Sequence, residues 1–275
     1  MMKSSIEKLS TGFRINRAGD DAAGLSISEK MTAQIRGTNQ ATRNIGDGIS
    51  LLQTAEGALG VVQDNLQRIR ELAVQAENGT NSDDELDAIQ REINERVTSI
   101  KDMGENAEFN GTSLLKGGAD IDLQIGANDG ETLTLELQSG GTQEGVKIEV
   151  DGTTLGGLGE DAINLDSFHV GGSGQVKSGN GSSTANGDLD DLDTMINNVS
   201  RMRSQLGAYQ NSLESNLTYL DNYSENLEGA RSRIKDVDVA SESGKFVKSQ
   251  ILQQTATAML SQANSVPQAA LNLLP

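Results

Sequence analysis

This chain has no cysteine, no tryptophan, two prolines and one histidine in 275 residues. Without cysteine there is no disulfide, no thiolate metal site and no thiol nucleophile. The lone His169 rules out a His–Cys dyad and leaves any His-dependent triad resting on one residue. It also cannot supply the two histidines of an H-E-x-x-H zinc site. No phosphate-cradling glycine loop is followed by Lys-Ser/Thr. Aromatic residues make up 3% of the chain and hydrophobic ones 35%, which is thin for a compact ball and normal for a coiled-coil rod. Positive charge is scarce as well: 22 Lys and Arg stand against 40 Asp and Glu, a net charge of −18. That balance argues against a nucleic-acid or anionic-membrane partner. No apolar run is long enough to span a bilayer, and Met1-Met2-Lys3-Ser4-Ser5 lacks the apolar core of a cleavable signal. These absences weigh against an enzyme and lead us to expect no cofactor and no metal.

What the chain does have is heptad periodicity. From Leu192, every seventh residue is apolar: Leu192, Val199, Leu206, Leu213, Leu220, Leu227 and Ile234. A companion column holds Met195, Met202, Tyr209, Asn216, Tyr223 and Ala230. Such a seam predicts a helix over 188–234 that needs a partner to bury it. At 1.5 Å per residue it would run roughly 70 Å, so an elongated, rod-like molecule is expected. Asp188, Asp190, Asp191 and Asp193 suit the positive end of the helix dipole, and no closing calcium-loop Glu follows them.

The partner seam lies upstream: Ile45, Leu52, Leu59, Leu66 and Ala73, with Ile49, Val62 and Ile69 beside them, stopping at Asn78-Gly79. Ser82-Asp83-Asp84-Glu85 is a capping box. It opens a helix whose apolar face is Leu86, Ile89, Ile93, Val97, Ile100 and Met103. Nearer the amino terminus, Ile6, Leu9 and Phe13 have helical spacing up to Gly12 and Gly19, and Asp20 is expected to cap the helix that follows. The segment from Phe246 to Met259 is a further amphipathic helix, with Phe246, Val247, Ile251, Leu252 and Met259 on its apolar side and no evident partner.

Between Gly111 and Gly187 lie 18 of the chain's 31 glycines, and the heptads vanish. Ile121, Leu123 and Ile125 alternate, as do Leu133, Leu135 and Leu137, around Asn128-Asp129-Gly130, which predicts a β-hairpin. Val146, Ile148 and Val150 are candidates for a third strand. The stretch from Gly156 to Gly187 reads as a loop excursion or a very small outer domain.

The words Phe13-Arg14-Ile15-Asn16-Arg17-Ala18-Gly19-Asp20-Asp21-Ala22-Ala23-Gly24-Leu25-Ser26-Ile27-Ser28-Glu29-Lys30-Met31 resemble the amino-terminal block of the bacterial flagellins. Phe109-Asn110-Gly111-Thr112 and the phrase from Gln124 to Glu131 resemble that family's rod domain. Arg231 to Ala240, Ser249 to Gln254 and Ala263 to Leu274 resemble its carboxy-terminal block. The family's usual amino-terminal core helix, upstream of anything corresponding to Ser4, is expected to be lacking. We therefore expect a mainly α fold: an elongated antiparallel helical bundle or coiled-coil rod with a small, Gly-rich insertion containing a β-hairpin. The expected divisions are amino-terminal rod helices over 1–108, the hairpin and variable region over 109–187, a carboxy-terminal rod helix over 188–240 and a core helix over 241–275.

The resemblance implies a non-enzymatic subunit of the flagellar filament, secreted, located in the extracellular flagellum, partnered by copies of itself and by an export chaperone at the carboxy-terminal helix. The stretch Leu66 to Gln75 resembles the flagellin segment bound by vertebrate Toll-like receptor 5. The receptor-contact residues it implies are Gln67, Arg68, Leu72, Gln75, Glu92 and Arg96. By spacing alone, Arg68 and Leu72 are i, i+4 neighbours on one face, while Arg68 and Arg70 could simply pair with Glu71 or Glu92 and Leu72 could be ordinary core. The rivals are a hook–filament junction protein, which shares terminal helices, and a non-polymerising monomer that acts mainly as a receptor ligand.

Overall fold

The structure, a computed structural model, describes residues 2–116, 120–136, 147–150, 153–155, 162–164, 169–171, 175–177 and 187–271. It is mainly helical. The helices are α1 (Met2–Thr11), α2 (Ala22–Ala76), α3 (Asp83–Asn106), α4 (Gly187–Lys235) and α5 (Val239–Leu271). Between α3 and α4 come β1 (Glu108–Phe109), β2 (Thr112–Ser113), β3 (Ile121–Gln124), β4 (Thr132–Leu135), β5 (Lys147–Val150), β6 (Thr153–Leu155), β7 (Ala162–Asn164), β8 (His169–Gly171) and β9 (Gln175–Lys177). The chain forms two compact units, one of Met1–Asn39 with Asp221–Pro275 and one of Gln40–Leu220.

In the second unit α2, α3 and α4 bury their seams together. Ile45, Leu52, Leu66, Ile69 and Ala73 of α2 are 0% exposed, and so are Ile93 and Ile100 of α3 and Leu213 of α4. Burying each such Leu or Ile side chain contributes about 1.5–3 kcal/mol. Polar bonds at the edge of the seam show that α4 runs antiparallel to α2. Arg70 pairs with Asp193, Gln63 donates to Ser200 and accepts from Arg203, and Gln210 donates to Glu56. In that register Leu66, Leu59 and Leu52 fall level with Val199, Leu206 and Leu213. Asp193 is thus an ion-pair partner of Arg70 rather than part of an acidic helix cap, because antiparallel packing brings the start of α4 level with the last turns of α2. The side chain of Asp188 lies outside the described residues.

Helix α3 begins as its capping box requires. The Glu85 carboxylate accepts the Ser82 N–H at 2.7 Å and the Ser82 hydroxyl at 3.0 Å. Beyond α3 the two-residue loop Asn110-Gly111 joins β1 to β2. Both residues are left-handed, with φ of 50° and 78°, as a tight hairpin demands.

Strands β3 and β4 form the expected antiparallel hairpin, with Ile121 opposite Leu135 and Leu123 opposite Leu133. The hairpin rests on α2: Leu135 is fully buried, Asn44 donates to the Gln124 carbonyl, and Leu123 occupies the space beside Gly48 that a side chain there would fill. Leu137 lies outside the described residues. The strand containing Ile148 and Val150 exists, but it pairs with β6 and β7 instead of extending the hairpin. Within Gly156 to Gly187, expected as a loop excursion or a very small outer domain, lie the short strands β7, β8 and β9, and β8 pairs with β9. The remainder of that stretch lies outside the described residues.

In the first unit, Gly12 at φ +76° ends α1, since glycine enters the left-handed region without steric cost. The chain then lies against the end of α4. The Arg14 N–H donates to the Lys235 carbonyl at 2.7 Å and the Val237 N–H to the Gly12 carbonyl at 3.0 Å. Lys235 Nζ sits 4.7 Å from the Phe13 ring centroid. The cap of α2 is Asp21, not Asp20: its carboxylate accepts the Gly24 N–H at 2.8 Å. Asp20 instead closes the loop by accepting the N–H groups of Asn16 and Arg17, and those bonds hold its carboxyl below the ordinary range. From that start α2 runs unbroken for 55 residues. Helix α1 packs on α5, and Ser5 bonds Glu242 in the first turn of α5. Residues 250–264 of α5 are nevertheless all exposed.

Candidate partner-binding surface

Alternation along α2 and α3 decides which of the implied contact residues reach the surface. Leu66, Ile69, Leu72, Ala73 and Ala76 form the buried seam of α2, which leaves Gln67, Arg68, Glu71, Val74 and Gln75 facing outward. On α3, Ile89, Ile93, Val97 and Ile100 point inward, so Glu92 and Arg96 emerge beside Arg68.

Four charges meet there. Arg68 Nε donates to Glu92 Oε1 at 2.9 Å, and its Nη1 donates to Glu71 Oε2 at 2.9 Å. Arg96 Nη2 approaches the same Glu92 oxygen at 3.8 Å. One carboxylate therefore bridges two guanidinium groups from two helices. Glu92 first and Glu71 second push the Arg68 pKa up. Arg96 also donates to Asn65 Oδ1 at 3.3 Å, and Asn65 donates onward to Ser99 and to the Val61 carbonyl. Arg91, Glu92, Glu95, Arg96 and Ser99 line an open groove along α3.

Of the six residues, Arg68, Glu92 and Arg96 are brought together, while Gln67 and Gln75 lie exposed on the same helix as Arg68. Leu72 is not on that surface. It is 2% exposed, because three residues after Ile69 it falls within the seam; a shift of four places from Arg68 is enough to cross from surface to core. Sequence reasoning missed Asn65, a polar residue 6% exposed beneath the pair. Its signal was a polar side chain interrupting the apolar face between Val62 and Leu66. Arg70 belongs to a separate pair, with Asp193 Oδ2 3.1 Å from its Nη2. Among the described residues no group of three His, Asp or Glu is placed to hold a metal ion, and no helix is long and apolar enough to cross a membrane.

The geometry defines a class, a mainly helical protein in which helices from the amino- and carboxy-terminal parts of the chain pack on one another and short strands lie between α3 and α4 in sequence. The comparisons identify it further. Residues 1–120 match the bacterial flagellin N-terminal helical region and residues 189–274 match the bacterial flagellin C-terminal helical region. A flagellin of Halalkalibacterium halodurans is 45% identical over 99% of this chain and 91% of its own length. One of Bacillus subtilis is 44% identical over 99% and 92%. A flagellar hook-associated protein from Vibrio parahaemolyticus shares the fold, with a TM-score of 0.56 at 14% identity over 79% of this chain and 100% of that one. The chain belongs to the bacterial flagellin family. It is accordingly a structural subunit of the flagellar filament, not an enzyme, and it assembles with copies of itself at the bacterial flagellum.

Proposed function

We propose that this filament subunit is secreted and is also a ligand of the vertebrate innate receptor Toll-like receptor 5. Its contact surface consists of Gln67, Arg68 and Gln75 on α2 and Glu92 and Arg96 on α3, with Leu72 supporting it from beneath. The observation that carries this reading is the Glu92 carboxylate held between Arg68 and Arg96. A guanidinium fixed in place before contact spares a partner the entropy of ordering it. Arginine is also the charged side chain most often found at the energetic centre of interfaces. The resemblance of Leu66 to Gln75 to the receptor-bound segment supplies the identity of that partner. Helix α5, with Val247, Ile251, Leu252 and Met259 about half exposed or more, is the natural seat of an export chaperone. The hook–filament junction reading rests on a likeness of fold, whereas the flagellin relatives match over nearly the whole chain.

Binding of purified receptor ectodomain to the parent chain and to Arg68→Ala tests the proposal. The substitution should weaken binding by about tenfold, the scale of an interface arginine, with helical circular dichroism unchanged. Matched binding curves would remove Arg68 from the contact and the proposal with it.

A further inference from the structure

Glu242 is the one charged side chain among the described residues that is buried. It is 6% exposed and sits in the first turn of α5. A buried carboxylate is costly unless it is both hydrogen-bonded and paired, and this one is both. Ser5, the buried residue of α1, donates its Oγ to Glu242 Oε1 at 2.6 Å across 237 positions of sequence. Lys245 Nζ donates to Oε2 at 3.0 Å. The charged groups facing the carboxylate are Lys8 from α1 and Lys245 from α5 itself. The helix start favours the anion too. It is capped by Asp238, whose Oδ1 accepts the N–H groups of Ala240 and Ser241. Apolar packing, by contrast, explains little of how α1 sits, since Ile6 is 47% exposed and Leu9 only half-buried.

We propose that Glu242 is a positioning residue for filament assembly: the Ser5–Glu242–Lys245 chain seats α5 on α1, and that seat sets how α5 is presented to the next copy of this protein. The bond from Ser5 first and that from Lys245 second hold the Glu242 carboxyl below its ordinary value of 4.5. A carboxyl depressed in the folded state contributes stability in full above its ordinary value and loses it as pH falls through the folded one. The seat is complete at neutral pH and is released progressively below 4.5.

The test uses the full chain, with Glu242→Gln, Ser5→Ala and Ser5→Thr. Amide protection, corrected for intrinsic rates, is followed from pH 7 to pH 3 in α1 and the first turns of α5, with α3 as the internal control. Seeded filament growth is measured at pH 7. In the parent, α1 protection should fall as pH drops below 4.5. Glu242→Gln should already exchange roughly tenfold faster at pH 7, the scale of a hydrogen bond to a charged group, and should lack the acid step. Ser5→Ala should weaken protection and slow seeded growth, and Ser5→Thr, which keeps the hydroxyl, should restore both. An α1 protection profile in Glu242→Gln that overlays the parent's overturns the proposal. So does seeded growth at the parent rate when α1 protection is lost. If α3 loses protection in Glu242→Gln, the two Ser5 variants decide alone, and equal behaviour of Ala and Thr at that position overturns it.

Discussion

Glu85 accepts two hydrogen bonds from Ser82 at the first turn of α3, and those bonds, the backbone one first, hold its carboxyl below its ordinary value of 4.5. By the sign that applies to a depressed acid, the cap is intact at neutral pH and is lost as pH falls from 4.5 through the lower folded value. Amide protection over 83–88, corrected for intrinsic exchange rates, should therefore fall in acid, and Glu85→Gln should show much of that loosening already at pH 7; equal pH profiles would mean that the bonds do not hold the helix start. This cap was legible because its signal is local, a Ser and a Glu three places apart. The cap of α2 was harder, because Asp20 and Asp21 are adjacent and identical in type and only the loop's path assigns one to the turn and the other to the helix. Leu72 could be read from sequence either as a surface contact or as core, for a related reason. Spacing puts it four residues from Arg68, but the 40° left over after four residues is enough to carry it into the seam. Arg70 and Asp193 lie 123 positions apart, so nothing local could pair them.

At the scale of elements, the heptad seam of α4 was legible from Leu192 to Leu220, because a buried column repeats within one helix and needs no tertiary knowledge, whereas Leu227 and Ile234 of the same column are only half-buried. Leu213 and Leu52 are both 0% exposed and fall level in the antiparallel register. Leu213→Ala should cost about 2–5 kcal/mol, the range for emptying a packed leucine site, seen as an earlier thermal transition by circular dichroism. A loss of under about 1 kcal/mol would mean that the seam is loosely packed at that level. The β insertion was only partly legible: alternation located β3 and β4, but three- and four-residue strands such as β7 carry too few positions to show a period. Helix α5 is the opposite of α4, with apolar residues that the fold leaves open. Met259 is 67% and Leu260 63% exposed. A helix without tertiary packing is marginal in water, so the amides between Phe246 and Met259 should show weak protection in a verified monomer and gain it on assembly. Strong protection in the monomer would contradict this account of α5.

For the whole molecule, the charge balance governs how copies meet. Each chain brings a net charge of −18, so a subunit approaching the end of a filament of its own kind is repelled before any specific contact forms. Screening relieves that repulsion over a distance set by salt, about 30 Å at 0.01 M and about 8 Å at 0.15 M. The short-range attractions that finish docking act mostly inside the shorter of these lengths and are weakened far less than the long-range field. Growth on filament seeds should accordingly speed up by several-fold, on the order of the lower steering effects seen for charged partners, as salt is raised between those two concentrations. The soluble subunit concentration in equilibrium with filaments should fall in parallel. Sedimentation of seeded mixtures across a salt series, with negative-stain microscopy to verify filaments, measures both quantities. Growth that slows with added salt would locate the driving force in exposed ion pairs between subunits, made by groups like Arg68 and Glu92, because those are the contacts that screening removes.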